Sequence, residues 1–403
     1  MNYPNVTIDK SIKRDIPVLN KFSETMAHLS IHLLCLSFFL NDLMLSPTFG
    51  GTFSDIFLIL GLICSSVFFH KIKISQIFIF ILCISIVITN IFYGINISTT
   101  NYDLNSSLIY LIKIPVFLLF TFNVYNFVTE FNLQKKAIEI FINYTLLMCI
   151  ISLYIYVAQL IGLPYKALWY FSRQDAESYT YRGSSIIRLR GLSNEPQGLG
   201  MMLTVSLALS YFNQVGFRIS NKKNWFIIFC SLLTFSFSTI LTVAILPIIQ
   251  MIKSKSFKKL FNRKIILFFI GIVVLILIFR EELTQTIIIR FNEIINGNDG
   301  SGTARIVGSW QYVSDYIGGI GIGNSPPIFN IFAYLLTELG LIPLILFCLL
   351  IFYMGKTNFW LACMLTIFSF QRGGYLSAGY WCTILLLFIA RKNVNNQLKE
   401  MVI

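Results

Sequence analysis

The chain has 403 residues, 56% of them hydrophobic and only 12% charged, with a mean hydropathy of +0.73 and a formal net charge of +13. Soluble domains carry about a quarter charged residues, and no segment here has the polar surface to cover a core of its own, which excludes a soluble enzyme. The positive balance does not point to nucleic acid either, because Lys and Arg are scattered through short interhelical loops, where they act as topology signals.

The first residues are polar, carry Lys10, Lys13, Arg14 and Lys21, and lack a cleavage-site pattern. The first apolar run is therefore expected to be an uncleaved signal anchor. A bilayer core of ~30 Å needs about 20 apolar residues per helix. Runs that fit lie at 26–45, 52–69, 74–95, 106–128, 137–162, 196–215, 224–252, 264–280, 327–354, 357–371 and 373–391. The N-terminal basic group, Lys71 with Lys73, Lys135 with Lys136, Arg218 with Lys222 and Lys223, and the block from Lys253 to Lys264 all fall on one side, the cytoplasmic one. Both flanks of 224–252 are then on that side, so the run crosses an even number of times. As a single helix its 29 residues reach only ~43 Å. Two short or broken helices with a break around Ser236–Ser238, or a re-entrant hairpin, fit best, since Ser and Thr can satisfy the freed backbone groups. The fold class that follows is an all-α polytopic membrane protein of about 12 transmembrane helices. It forms one integral membrane domain over 1–403, with both termini cytoplasmic and two large extracytoplasmic loops, 163–195 and 281–326. All eight cysteines lie within apolar runs, so no disulfide framework is expected in these loops.

Nine of the 31 Lys and Arg residues fall on the outer side, against the usual bias. Three of them, Arg182, Arg188 and Arg190, stand close to a span start. Guanidinium's forked donors suit phosphate or carboxylate. In an extended segment residues 182, 188 and 190 share one face, and Arg188 and Arg190 sit ~7 Å apart, a spacing that can straddle a pyrophosphate. The bland alternative is pairing with Asp175, Glu177 or lipid headgroups. Ser193-Asn194-Glu195-Pro196 reads as a helix start with a capping Ser or Asn. Glu195 there either favours the helix dipole, orients an arginine or binds a sugar hydroxyl, or acts as a general base beside Arg190. In the second loop Leu283–Asn296 is expected to lie as a helix on the bilayer. A further helix begins near Arg305, with Ile306, Trp310, Val313 and Ile317 on a buried face. Gly318-Gly-Ile-Gly-Ile-Gly-Asn324 is too Gly-rich for regular structure, and no βαβ unit surrounds it as a dinucleotide fingerprint requires. Lys113, well inside a span, either snorkels outward or faces a cavity. Glu338 in span ten needs a polar partner. His28 and His32 share a helix face but lack a third ligand for a metal.

Arg190-Gly191 followed by Glu195-Pro196 at a span start, then Arg305 with Trp310, then Gly-Ile-Gly-Ile-Gly, resembles the bacterial O-antigen polymerase and ligase superfamily of Wzy-type polymerases and WaaL-type ligases. The motifs span about 180–345. Ligases of that superfamily carry a His followed by Asn, Ser or Gln, then nine residues and a Gly. Asn330 and Gly340 fit that frame, but Phe329 occupies the His position and no other outer-side histidine exists, which favours a polymerase.

The resemblance implies a GT-C-like membrane glycosyltransferase of the bacterial inner membrane, without metal or other cofactor. It would move a growing glycan from undecaprenyl pyrophosphate onto a new lipid-linked oligosaccharide repeat unit at the outer leaflet. Arg190 and Arg305 would clamp the departing diphosphate and Glu195 would be the candidate base, while Arg182, Arg188, Gly191, Lys113 and Asn330 would bind substrate. A chain-length regulator is an expected partner. The competing expectations are an O-antigen ligase, a lipid-linked oligosaccharide flippase or an anion exporter.

Overall fold

Apolar runs of this length, with few prolines and little β-strand alternation, satisfy their own backbone only as helices. Among the residues that the computed structural model describes (20–45, 51–97, 102–171, 187–254, 292–293, 296, 307–371 and 374–391) there are twelve α-helices and no strand. They are α1 (Lys21–Phe39), α2 (Phe53–Ser65), α3 (Ile74–Ile97), α4 (Leu104–Glu130), α5 (Gln134–Ile161), α6 (Pro196–Phe212), α7 (Asn221–Leu233), α8 (Phe237–Ser254), α9 (Ile331–Leu339), α10 (Leu341–Thr357), α11 (Phe359–Gln371) and α12 (Ala378–Ile389). Short polar residues close their first turns: Asn20 caps α1, Asp103 caps α4, and Thr52 forms a reciprocal capping box with Asp55 on α2. A short 3-10 helix, Ser66–Lys71, extends α2. Among the described residues four helical segments are long and apolar enough to cross a membrane: Phe53–Lys71, Ile74–Asn96, Leu104–Glu130 and Gln134–Ile161. Shorter apolar helices accompany them, among them α10, α11 and α12.

The outside of the bundle is greasy. On α3, Ile74 is 85% exposed, with Phe78 and Phe92 close behind, and α10 shows Ile342, Leu349 and Phe352 in the same way. A soluble protein would not leave apolar strips of this length to water; in lipid they have no partner to seek. The centre is α6, almost every residue of which is buried, and α5, α7, α8, α11 and α12 pack around it. Gly200 lets α8 come close: a Cβ there would run into the Thr239 side chain.

Two run boundaries differ from the sequence expectation. The 224–252 run is broken, as its length requires, at Thr234–Ser236, where Phe235 takes a positive φ of 43°. The 327–354 run, expected as one span, is two helices. Gly340 (φ +82°) separates α9 from α10, and a Cβ there would strike the Ile317 backbone. The helix expected from 305 is a single 3-10 turn, Gly308–Tyr312. Trp310 and Ile317 are exposed and Ser309 is the buried residue, so the apolar spacing did not mark a buried face. The segment is held instead by side-chain bonds from α3. The 264–280 run lies outside the described residues, as does Leu283–Asn296 but for a helical fragment at Asn292 and Glu293.

Candidate functional site

The ends of the bundle differ in chemistry. One gathers Lys21, Lys71, Lys73, Lys135, Lys136, Lys222 and Lys223, with Lys71 paired to Glu130 at 2.7 Å. The other gathers the end of α1, the starts of α2, α4 and α6, the apex between α7 and α8, and the loops before α9 and α12. Its polar groups form two centres.

The first is built on residues 187–196. Leu189 N–H donates to the Leu233 carbonyl (2.8 Å) and Arg188 Nε to the Thr234 carbonyl (3.1 Å). The segment thus docks into the α7–α8 break and satisfies carbonyls that an interrupted helix leaves over. A tight turn follows, with Ser193 N–H donating to the Arg190 carbonyl (3.3 Å) and Gly191 at φ +61°, where a Cβ would collide with the Ser152 side chain. Trp169, after α5, donates its indole N–H to the Gly191 carbonyl (2.8 Å) and lays its ring 4.0 Å from the Arg190 guanidinium carbon. The same aromatic side chain therefore holds both the turn and the cation. Arg190 is 1% exposed. Burial pushes its pKa down to about 10, opposed by the negative charge of Asp42, so it stays protonated at neutral pH.

Asp42, at the end of α1, is buried. It accepts from Asn41 Nδ2 and from Asn194 N–H, both at 3.2 Å. Sequence reasoning assigned the carboxylate beside Arg190 to Glu195; the charge acting on it is that of Asp42, missed because it sits 148 positions away. The available signal was an acid closing an apolar run. Glu195 is itself the N-cap of α6, ahead of Pro196 at N1, so neither Ser193 nor Asn194 holds that place. Its side chain makes no capping bond, is exposed, and forms no ion pair among the described residues.

The second centre is the glycine-rich loop. Asn90 of α3 is buried, donates to the carbonyls of Gly318 (2.6 Å) and Glu338 (2.7 Å), and accepts from Ile322 N–H (2.8 Å). Ser107 of α4 donates to the Ile322 carbonyl (2.7 Å), and Asn324 Oδ1 accepts from Asp103 N–H (2.6 Å). Tyr93 donates to Asp315 (2.6 Å), and this bond holds the Asp315 carboxyl below the usual range. Gly318, Gly321 and Gly323 lie against the rings of Tyr93, Tyr102 and Tyr110, where a Cβ has no room. Glu338 closes the loop from the other side. Fully buried, it accepts from Ser325 N–H (3.2 Å), Ser325 Oγ (2.8 Å) and Tyr375 Oη (2.6 Å). The polar partner that its position demanded is this set.

The remaining candidates divide. Lys113 reaches toward the start of α2 and pairs with Asp55 at 2.9 Å, 5.9 Å from the Tyr110 ring centre. Asn330 is buried and caps α9 by accepting from Phe332 N–H (2.9 Å), while Phe329 beside it is 40% exposed. Arg182 and Arg305 lie outside the described residues, so their expected sharing of a face or clamp with Arg190 is not seen here.

One loop joins the two centres. Tyr375, between α11 and α12, bonds Glu338, while Gly379 N–H, in the first turn of α12, donates to Asn41 Oδ1 (3.2 Å), next to Asp42. A cavity of about 20 Å³, the room of a single water, lies between Asn41, Ser377, Tyr380 and Met201. Comparison of this chain with protein-family models, with curated proteins and with solved structures gives no match.

Proposed function

We propose that the chain is a GT-C-like polysaccharide polymerase of the bacterial inner membrane, acting at the outer leaflet on lipid diphosphate-linked oligosaccharides. The observation that carries this reading is Arg190. It is a guanidinium fixed before any substrate arrives by Trp169 and a tight glycine turn, at the bundle end opposite the basic residues. The positive-inside bias makes the basic end cytoplasmic and the Arg190 end outward-facing.

When the bond between sugar and diphosphate breaks, the leaving group gains negative charge. A cation already in place stabilises that charge more than it stabilises the bound donor, which lowers the barrier. The same burial that depresses the Arg190 pKa makes an arriving anion a favourable neighbour. Arg188, anchored on the α7–α8 apex, supports it, and Arg305, which lies outside the described residues, is assigned to the same clamp from the sequence alone. Glu195, exposed at the α6 N-cap, is placed to meet an acceptor sugar and not to balance Arg190. Among the described residues no group of three His, Cys, Asp or Glu side chains is arranged to hold a metal ion.

The test is incubation of the purified protein with lipid-linked repeat units in chelator, followed by sizing of the products. A ladder is expected, and Arg190→Lys, which keeps charge but loses the fork, should slow it about 100-fold with the melting temperature retained. An undiminished ladder from Arg190→Ala would remove the clamp. The paired helix breaks at 234–236 and Gly340 favour a second reading, a lipid-linked oligosaccharide flippase, because transporters build sites from interrupted helices. Translocation in vesicles without a ladder would establish that reading instead.

A further inference from the structure

Toward the basic end, α1 and α5 part to leave a lateral groove of about 190 Å³, lined by His32, Ile140, Asn143, Tyr144 and Leu147. Its lining is mostly apolar, and its polar groups are Asn143, exposed on α5, and the pair His32 and Tyr144, whose Nδ1 and Oη bond each other at 3.2 Å with the rings edge to face at 5.7 Å. His28 lies one turn before His32 on the same helix face, and both His28 and Lys136 act electrostatically on His32. Two carboxylates stand nearby, Glu24 one turn before His28 and Glu139, which Lys136 engages at 3.4 Å. Along α5 the surface beyond the groove is apolar, with Leu147, Ile150, Tyr154 and Val157 all about half exposed.

Polar side chains on a lipid-facing wall are costly unless something polar meets them. The groove is smaller than a site for a drug-sized molecule, it opens sideways, and it continues into an apolar strip. An occupant that matches all three has a compact anionic head and long acyl chains. We propose that this groove binds an anionic glycerophospholipid from the leaflet at the basic end. Asn143 would donate to its phosphate together with whichever N–H or O–H the His32–Tyr144 bond leaves over, His28 and Lys136 would supply positive potential, and one acyl chain would lie along Leu147 and Ile150. The inference requires the bundle to sit in a bilayer and does not depend on polymerase activity.

Native mass spectrometry of the detergent-purified chain tests it, with dioleoyl phosphatidylglycerol and dioleoyl phosphatidylcholine titrated separately. One phosphatidylglycerol should be retained at least about 10-fold more tightly than phosphatidylcholine. That preference should fall toward unity in His32→Phe and in Lys136→Gln, the second being a surface change that leaves the fold intact. Equal retention of the two lipids overturns the proposal, as does a preference unchanged in Lys136→Gln and His32→Phe. Displacement of the lipid by millimolar inorganic phosphate alone would also overturn it, by showing a simple anion site.

Discussion

Among the described residues Arg190 is the largest side chain that the fold encloses completely. A buried cation is tolerable only where charge, hydrogen bonds or an aromatic face replace water, and Asp42 and Trp169 supply these. Asp42→Asn keeps an acceptor for Asn194 N–H but removes the countercharge, and is expected to cost about 3–5 kcal/mol, read as a large fall in thermal stability in detergent. Gly191→Ala places a methyl against Ser152 in a left-handed backbone and should cost about 1–3 kcal/mol, measurable the same way. Trp169→Phe keeps a ring over the guanidinium and loses the bond to the Gly191 carbonyl. On the proposed reading it should lower polymer formation more than it weakens binding of the lipid-linked donor, which a split of kcat from KM would show, at a stability cost of about 1–3 kcal/mol for the carbonyl left unpaired.

At the scale of elements, both breaks in otherwise apolar helices are filled by non-helical chain: residues 188–189 enter one, residues 316–321 the other. Gly340→Ala should therefore do more than strain one residue. By pushing on Ile317 it should loosen the 316–323 loop, at about 1–3 kcal/mol, with faster proteolysis there and not near Arg190. Acid should loosen the same loop. Asp315 has a folded pKa below its ordinary value, so its contribution is present above the usual carboxylate range and is lost as pH falls through the lowered one. Tyr93→Phe should flatten that dependence in hydrogen-exchange measurements.

A break in the 224–252 run was readable beforehand, because its basic flanks fall on one side and it is too short for two full spans. The sequence places it around Ser236–Ser238, with a re-entrant hairpin as the alternative, and it lies at 234–236. The Gly340 break was not. Its run, 327–354, reads as one span although Glu338, Gly340 and Pro343 interrupt it, and the reason to break lies in the loop that packs against it. For the same reason Arg190 was legible as a candidate from charge placement, while Asp42 and Trp169, brought to it from α1 and from beyond α5, were not. Local pattern specifies a helix and its caps; which distant side chain completes a site depends on how helices stack.

For the whole molecule, the segregation of basic residues makes orientation testable. In a cysteine-free background, Ser314→Cys should react with a membrane-impermeant maleimide from outside intact spheroplasts, and Lys222→Cys only after permeabilisation. The reverse pattern would place Arg190 in the cytosol and end the polymerase reading. Enclosure of α6 on every side carries a consequence of its own. This helix works as an axle, with Arg190 at its head and the Asn213 turn at its foot, and each residue along it is keyed to a different neighbour. Inserting a single alanine midway would rotate everything downstream by about 100° and unseat the key at either Gly200 or Phe212.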